Sequence, residues 1–218
     1  MRRNVTPCSS WQLYVIIDRT AVGGRALAEV AASAIRGGAD VIQLRDKTAS
    51  ARQLLEETAR VLPLTRAAGI PLIINDRADV ARSLGADGVH LGQDDLPVND
   101  ARDILGPDRL IGKSIHNLEQ ALAAEREGAD YIGVGPIFPT PTKPDTRSVG
   151  PALINAVSSA VHLPIVCIGG IDGTTLESVL EAGAKCVAVV RAVCGVNDPE
   201  QATRVLKERL GQFVRATP

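Results

Sequence analysis

The sequence predicts one α/β domain closed as a (β/α)8 barrel, on three observations. Eight short apolar runs recur along its 218 residues, amphipathic segments lie between them, and a Gly-Ala-Asp punctuation repeats where helix gives way to strand. A chain of this length fits one α/β barrel and is long enough to bury a substantial core.

The runs are Leu13–Ile17, Val41–Leu44, Pro71–Ile74, Gly88–Leu91, Leu110–Gly112, Tyr131–Val134, Pro164–Ile168 and Cys186–Val190. Each is too short for a helix and rich in β-branched residues, which favours strand. Their apolar character is continuous rather than alternating, as expected of parallel strands covered on both faces.

Between them, Ala26–Ile35 sets Leu27, Val30, Ala31, Ala34 and Ile35 on one helical stripe. Ser50–Leu62, Leu118–Glu127, Thr174–Glu181 and Pro199–Leu210 read likewise as helices. Gly38-Ala39-Asp40, Gly85-Ala86-Asp87, Gly128-Ala129-Asp130 and Gly183-Ala184-Lys185 each end a helix and open a strand. Glycine supplies the left-handed helix stop. Eight strand–helix pairs point to a TIM barrel over residues 1–218, with residues 1–11 as a short N-terminal extension. A doubly wound open sheet is the alternative, because periodicity alone does not prove closure.

Composition bounds the rest. Hydrophobic residues make up 45% of the chain, so it is globular, and aromatics only 2%, which predicts a core of Val, Ile, Leu and Ala. The balance of 24 basic and 25 acidic residues leaves a net charge of −1 and no general nucleic-acid footprint. No apolar run approaches the ~18 residues of a membrane span, and the residues after Arg2-Arg3 do not read as a signal peptide. Cys8, Cys167, Cys186 and Cys194 show no C-x-x-C spacing and read as free thiols in a reducing cytoplasm.

In such a barrel the C-terminal strand ends share one mouth, where active sites are built. Polar residues at these ends therefore form one candidate site. Strand two contributes Gln43, Arg45, Asp46 and Lys47. Strands three and four contribute Asn75-Asp76 and Gln93-Asp94-Asp95. Strand five contributes Lys113, Ser114 and His116, and strand eight Arg191. After strand six comes Phe138–Gly150, too long for an ordinary connection, stiffened by prolines and carrying Thr140, Thr142 and Lys143. Asp76 and Asp95 end neighbouring strands. Beside Arg45, Lys47 and Lys143 they suit a divalent cation such as Mg²⁺ together with a polyanion, although Asp after a strand is also a common helix cap. Gly169-Gly170 opens the connection after strand seven, where backbone N–H groups can approach a phosphate. His90 and His162 suggest no role.

"QLRDK", "IINDR", "GVHLGQDD", "GKSIH", "GVGPIFPTPTK" and "IGGI", in this order at successive strand ends, resemble the thiamine-phosphate synthase family from about Leu13 to the C-terminal helix. The resemblance implies a (β/α)8 barrel that joins a hydroxymethylpyrimidine diphosphate to a thiazole phosphate, with Mg²⁺ as cofactor and phosphorylated small molecules as partners. It implies that Gln43, Arg45, Lys47, Asn75 and Lys143 hold the pyrimidine diphosphate and that Ser114 contacts the pyrimidine. Asp76 and Asp95 correspond to metal ligands. Thr140, Thr142, Gly170 and the Val190-Arg191 backbone correspond to the thiazole phosphate site. Arg191 departs from the family pattern, in which Ser is frequent at that position, and this leaves its side-chain role open. Three alternatives compete: a thiazole tautomerase-like or regulatory relative, a non-catalytic binder of thiamine precursors, and a phosphosugar isomerase or aldolase barrel. The last requires an acid/base pair or a Schiff-base lysine, for which Lys113 is a candidate.

Overall fold

The computed structural model of the chain describes residues 7–142 and 146–216. Eight parallel strands close in sequence order: β1 (Leu13–Asp18), β2 (Val41–Arg45), β3 (Leu72–Asn75), β4 (Gly88–Leu91), β5 (Leu110–Ile115), β6 (Tyr131–Val134), β7 (Ile165–Ile168) and β8 (Cys186–Val189). The ladder shuts where β8 returns to β1, with Leu13 opposite Val187 and Val15 opposite Val189. This closure excludes the open sheet. Strand β5 runs three residues beyond the apolar run that marks it in the sequence, so Lys113 and Ser114 lie within the strand.

Nine α-helices cover the described part of the barrel. Those legible as stripes are α1 (Leu27–Arg36), α2 (Ala51–Ala68), α5 (Leu118–Arg126), α7 (Leu176–Glu181) and α9 (Pro199–Ala216). Four others, α3 (Ala78–Leu84), α4 (Val98–Leu105), α6 (Ala152–Ser158) and α8 (Arg191–Cys194), span 7, 8, 7 and 4 residues. These are too short to repeat an apolar stripe convincingly. Helix α2 passes through Pro63 instead of stopping at Leu62. Its start is fixed by a capping box between Ser50 and Gln53, and its buried face continues past the proline to Thr65. That packing outweighs one lost N–H bond, and Gly69 at φ 69° then ends the helix. Among the described residues, no helix is long and apolar enough to cross a membrane.

Alternation along each strand divides the core in two. Leu13, Val15 and Ile17 face the helices within an aliphatic layer. Tyr14 and Ile16 face inward with Val41, Ile73, Tyr131, Val166, Cys186 and Ala188. The expectation of a purely aliphatic core fails here. Trp11, from the segment preceding β1, stacks edge-on against Tyr14 and Tyr131 at 5.9 and 5.3 Å. All three rings are almost fully buried. A few large rings fill a barrel interior that short aliphatic side chains would leave open.

The Gly-Ala-Asp repeat is a pinning device. Gly38, Gly85 and Gly128 have φ of 98°, 66° and 80°, the left-handed conformation that stops a helix. The aspartate that follows accepts the N–H at the start of the preceding strand: Asp40 from Leu13 at 2.8 Å, Asp87 from Leu72 at 2.9 Å and Asp130 from Ile111 at 2.8 Å. Each aspartate N–H returns a bond to the carbonyl of the same residue. Lys207 neutralises Asp40 and Arg102 neutralises Asp130, both at 2.6 Å. Strands β1, β3 and β5 are thereby fixed to β2, β4 and β6 at the closed end, which sets the height of the mouth residues on these six strands.

Asp87→Ala should leave the buried Leu72 N–H without its acceptor and lower stability by about 2 kcal/mol or more. Asp87→Asn, which keeps an acceptor, should recover much of that loss. A urea midpoint unchanged in the alanine variant would show that the pin carries no load.

Candidate active site

Above the aromatic plug the barrel opens into a cavity of about 380 Å³. Gln43, Arg45, Asn75, Ser114, Thr140, Thr142, Gly170, Val190 and Arg191 all contribute to its lining. The structure thus gathers nine of the sequence-selected residues, drawn from three strands and from the segments that follow β6, β7 and β8, around one space. Asp76, Asp95 and Lys47 stand outside that lining, beside one another at the rim above β3 and β4. Lys143 lies outside the described residues.

The rim is an arrangement of opposed charges. Asp76 and Asp95 are within hydrogen-bonding reach of each other, and Lys47 Nζ lies 3.0 Å from Asp76 Oδ2. Asp76 adopts φ 63°, uncommon for a residue with a side chain, and its N–H is held by the His90 carbonyl at 2.9 Å. Strained backbone of this kind clusters at functional sites. Burial, and then the neighbouring Asp95 carboxylate, push the Asp76 carboxyl above the usual range. Burial also works to raise Asp95, yet hydrogen bonds from Asp76 and from the Gly92 N–H, the latter at 2.6 Å, hold it below that range.

The turn that carries Asp95 is tied to β5 at two points. Lys113 Nζ donates to the Gly92 carbonyl at 2.8 Å, and Gln93 Nε2 to the Ser114 carbonyl at 2.6 Å. Lys113 is buried and takes no part in the cavity lining, so its amine braces the loop instead of facing a substrate.

Strand β1 contributes what the sequence reading passed over. Asp18, 1% exposed at the end of β1, pairs with Arg45 Nη1 and accepts the Thr20 hydroxyl at 2.6 Å. This buried carboxylate holds the guanidinium in place in the cavity wall. The rule used for strands three and four, a carboxylate ending an apolar run, would have found it. Tyr14, His90 and Tyr131 also line the cavity, although they sit inside strands, where a search of strand ends does not look. His116 Nδ1 bonds the Gly135 carbonyl, which ties that ring to the wall.

The opposite side is built from close backbone contacts. Ile137 and Phe138 N–H groups bond the Ile168 and Gly169 carbonyls at 2.8 and 3.0 Å, docking the long loop on the connection after β7. Gly169 and Gly170 have φ of 100° and 63°, and a Cβ on Gly170 would lie 2.7 Å from both Phe138 Cβ and the Pro139 carbonyl oxygen. Only glycine allows this approach. Thr140, Thr142, Gly170 and the exposed Arg191 converge there on the cavity. Arg191 opens α8, whose first N–H groups have no intrahelical acceptor.

Comparison with known proteins agrees with this architecture. The family model described as thiamine monophosphate synthase matches residues 13–193. A thiamine-phosphate synthase of Roseiflexus castenholzii is 51% identical over 195 residues, covering 89% of this chain and 86% of that protein. One from Chloroflexus aurantiacus is 50% identical over 198 residues, covering 90% and 91%. The solved structure of a thiamine phosphate pyrophosphorylase from Pyrococcus furiosus superposes with a TM-score of 0.87 at 37% identity, over 95% of this chain and 98% of that one. The chain belongs to the thiamine-phosphate synthase family.

Proposed function

We propose that the chain condenses 4-amino-2-methyl-5-(diphosphooxymethyl)pyrimidine with 4-methyl-5-(2-phosphooxyethyl)thiazole, giving thiamine phosphate and diphosphate. The observation that carries this reading is one cavity with two chemically different phosphate-suited ends. At one end Arg45 and Asn75 adjoin the Lys47–Asp76–Asp95 rim. At the other Thr140, Thr142, Gly170 and Arg191 converge. The Gln43–Ser114 floor lies between them.

The rim fits a hard divalent cation. Its two carboxylates supply only oxygen, and a bound divalent cation would offset both the burial and the Asp95 contact that push the Asp76 carboxyl upward. Asp76 and Asp95 would hold Mg²⁺, with substrate oxygens and water completing the shell. The chemistry a bound Mg²⁺ supplies is neutralisation of charge on the departing diphosphate. Arg45 and Lys47, with Lys143 assigned the same task from the family resemblance, add fixed positive charge where that leaving group develops.

The C–O bond to diphosphate breaks first, and the electron-rich aminopyrimidine carries the positive charge left on its methylene carbon. The thiazole nitrogen then donates its electron pair to that carbon. No proton moves in the bond-forming step, so the site needs no general base. An aldolase-type reaction is disfavoured because the Lys113 amine is turned to the Gly92 carbonyl. A purely regulatory role is disfavoured because the charged rim and both ends of the cavity coexist.

Purified protein given both precursors and Mg²⁺ should release diphosphate and form thiamine phosphate, with activity lost in EDTA and restored by Mg²⁺. Asp76→Asn and Asp95→Asn should each lower turnover by roughly 10²-fold or more, comparable to deleting a preorganised charge-stabilising group. Full activity in EDTA would contradict the metal assignment.

Replacing the pyrimidine methyl by trifluoromethyl should slow the single-turnover rate steeply at saturating substrate, because the group withdraws electrons from the developing cation. An analogue that binds normally and reacts at an undiminished rate would instead indicate direct displacement by the thiazole nitrogen.

A further inference from the structure

The cavity floor holds a chain of hydrogen bonds that the reaction above leaves unused. Gln43 Nε2 donates to the Tyr14 hydroxyl at 2.7 Å, and the Tyr14 and Tyr131 hydroxyls lie 3.0 Å apart. Tyr131 Oη is 3.2 Å from His90 Nδ1, and His90 Nε2 is 2.9 Å from Ser114 Oγ. The five side chains come from β2, β1, β6, β4 and β5 in turn, and all line the cavity.

With the Gln43 amide nitrogen turned to Tyr14, counting donors gives the chain one consistent direction. A tyrosine hydroxyl has one hydrogen to give. The Gln43 amide fills the accepting side of Tyr14, so the Tyr14 hydrogen goes to Tyr131. The Tyr131 hydrogen then goes to His90 Nδ1. An imidazole that accepts at Nδ1 carries its proton on Nε2 and donates it to Ser114 Oγ. The Ser114 hydrogen is left for the cavity. At the far end, Gln43 Oε1 has no protein hydrogen-bond partner among the described residues and remains an acceptor. Burial raises both tyrosine hydroxyls above their ordinary range, which keeps both hydrogens in place.

The surrounding backbone is shaped to this chain. A Cβ on Gly112 would fall 2.2 Å from Tyr131 Cζ and 2.4 Å from His90 Nδ1, so only glycine leaves room for the two rings to meet. At Gly133 on β6 the fit is close but less strict, with a Cβ 3.0 Å from His90 Cε1.

We propose that Tyr14, Tyr131 and His90 are positioning residues whose hydrogen-bond polarity makes Gln43 an acceptor and Ser114 a donor toward the bound heterocycle. The inference rests on the aminopyrimidine reading given under Proposed function. In that ring the 4-amino group and the ring nitrogen opposite it lie on opposite sides. The amino group would donate to Gln43 Oε1 and the nitrogen accept from Ser114. A 4-oxo analogue offers an acceptor where the chain requires a donor, and is rejected.

The test uses the full chain labelled with ¹⁵N-histidine, with His90 assigned by elimination through His116→Gln and His162→Gln. Without substrate, His90 should show a proton on Nε2 and none on Nδ1, and Tyr131→Phe should allow the Nδ1 proton to appear. Calorimetric titration should show wild-type preference for the 4-amino over the 4-oxo pyrimidine diphosphate, reduced about tenfold by Tyr131→Phe. Tyr14→Phe, which breaks the chain one link earlier, should reduce it similarly and serves if the first variant folds poorly. A proton resident on Nδ1 in the wild type, or a preference untouched by both variants, would overturn the proposal. Because the tautomer is read without substrate, it decides the direction of the chain whether or not the protein couples the two precursors. Failure to couple them would count against the reaction instead.

Discussion

Closure of the ladder between β8 and β1 is the constraint on which the rest depends. Eight parallel strands that meet in a ring must put all their C-terminal ends on one face, and only there can residues distant in sequence share a site. Closure alone leaves strand height undetermined. The reciprocal bonds of Asp40, Asp87 and Asp130 to Leu13, Leu72 and Ile111 set that height at the closed end. With these ends level, Asp76 after β3 comes within reach of Asp95 beyond β4, and the His90 ring on β4, opposite Gly112, reaches Ser114 on β5.

The same geometry divides the interior by chemistry. Below, Trp11, Tyr14 and Tyr131 close the barrel with apolar surface. The two tyrosines turn their hydroxyls into the polar chain, so one pair of rings serves as both plug and floor. Above, the charged groups are braced by others: Arg45 by Asp18, and the Asp95 turn by Lys113 and Gln93. Such bracing suits a site that stabilises charge, because dipoles and ions already fixed in place need little reorganisation as charge develops.

Much of this was legible in the sequence, for identifiable reasons. The strands announce themselves through continuous β-branched runs, and once a barrel is inferred, strand ends become a list of mouth residues. That logic finds Arg45, Asn75, Asp76, Asp95 and Arg191, with Gln43 and Ser114 close to the strand ends, but it passes over Tyr14, His90 and Tyr131. His90 reads as a polar interruption of β4 until the register sets it beside Ser114 and Tyr131. The aspartate of the Gly-Ala-Asp repeat reads as a turn residue because the N–H it accepts belongs to another strand, 15 residues away for Asp87. Lys207 reaches Asp40 across 167 residues, a pairing no local pattern encodes. The scarcity of aromatics misleads about the core because three rings at one level suffice to plug a barrel of this size.

The central claim is that the charged rim and the polar floor act on opposite ends of one substrate. A crystal structure of the protein with thiamine phosphate, diphosphate and Mg²⁺ tests it most directly. The account predicts the pyrimidine ring between Gln43 and Ser114, the diphosphate against Arg45 and Lys47 with the metal on Asp76 and Asp95, and the thiazole phosphate beside Thr140, Thr142 and Gly170. A diphosphate bound at the Gly170 end, or a pyrimidine lying away from Gln43 and Ser114, would contradict it.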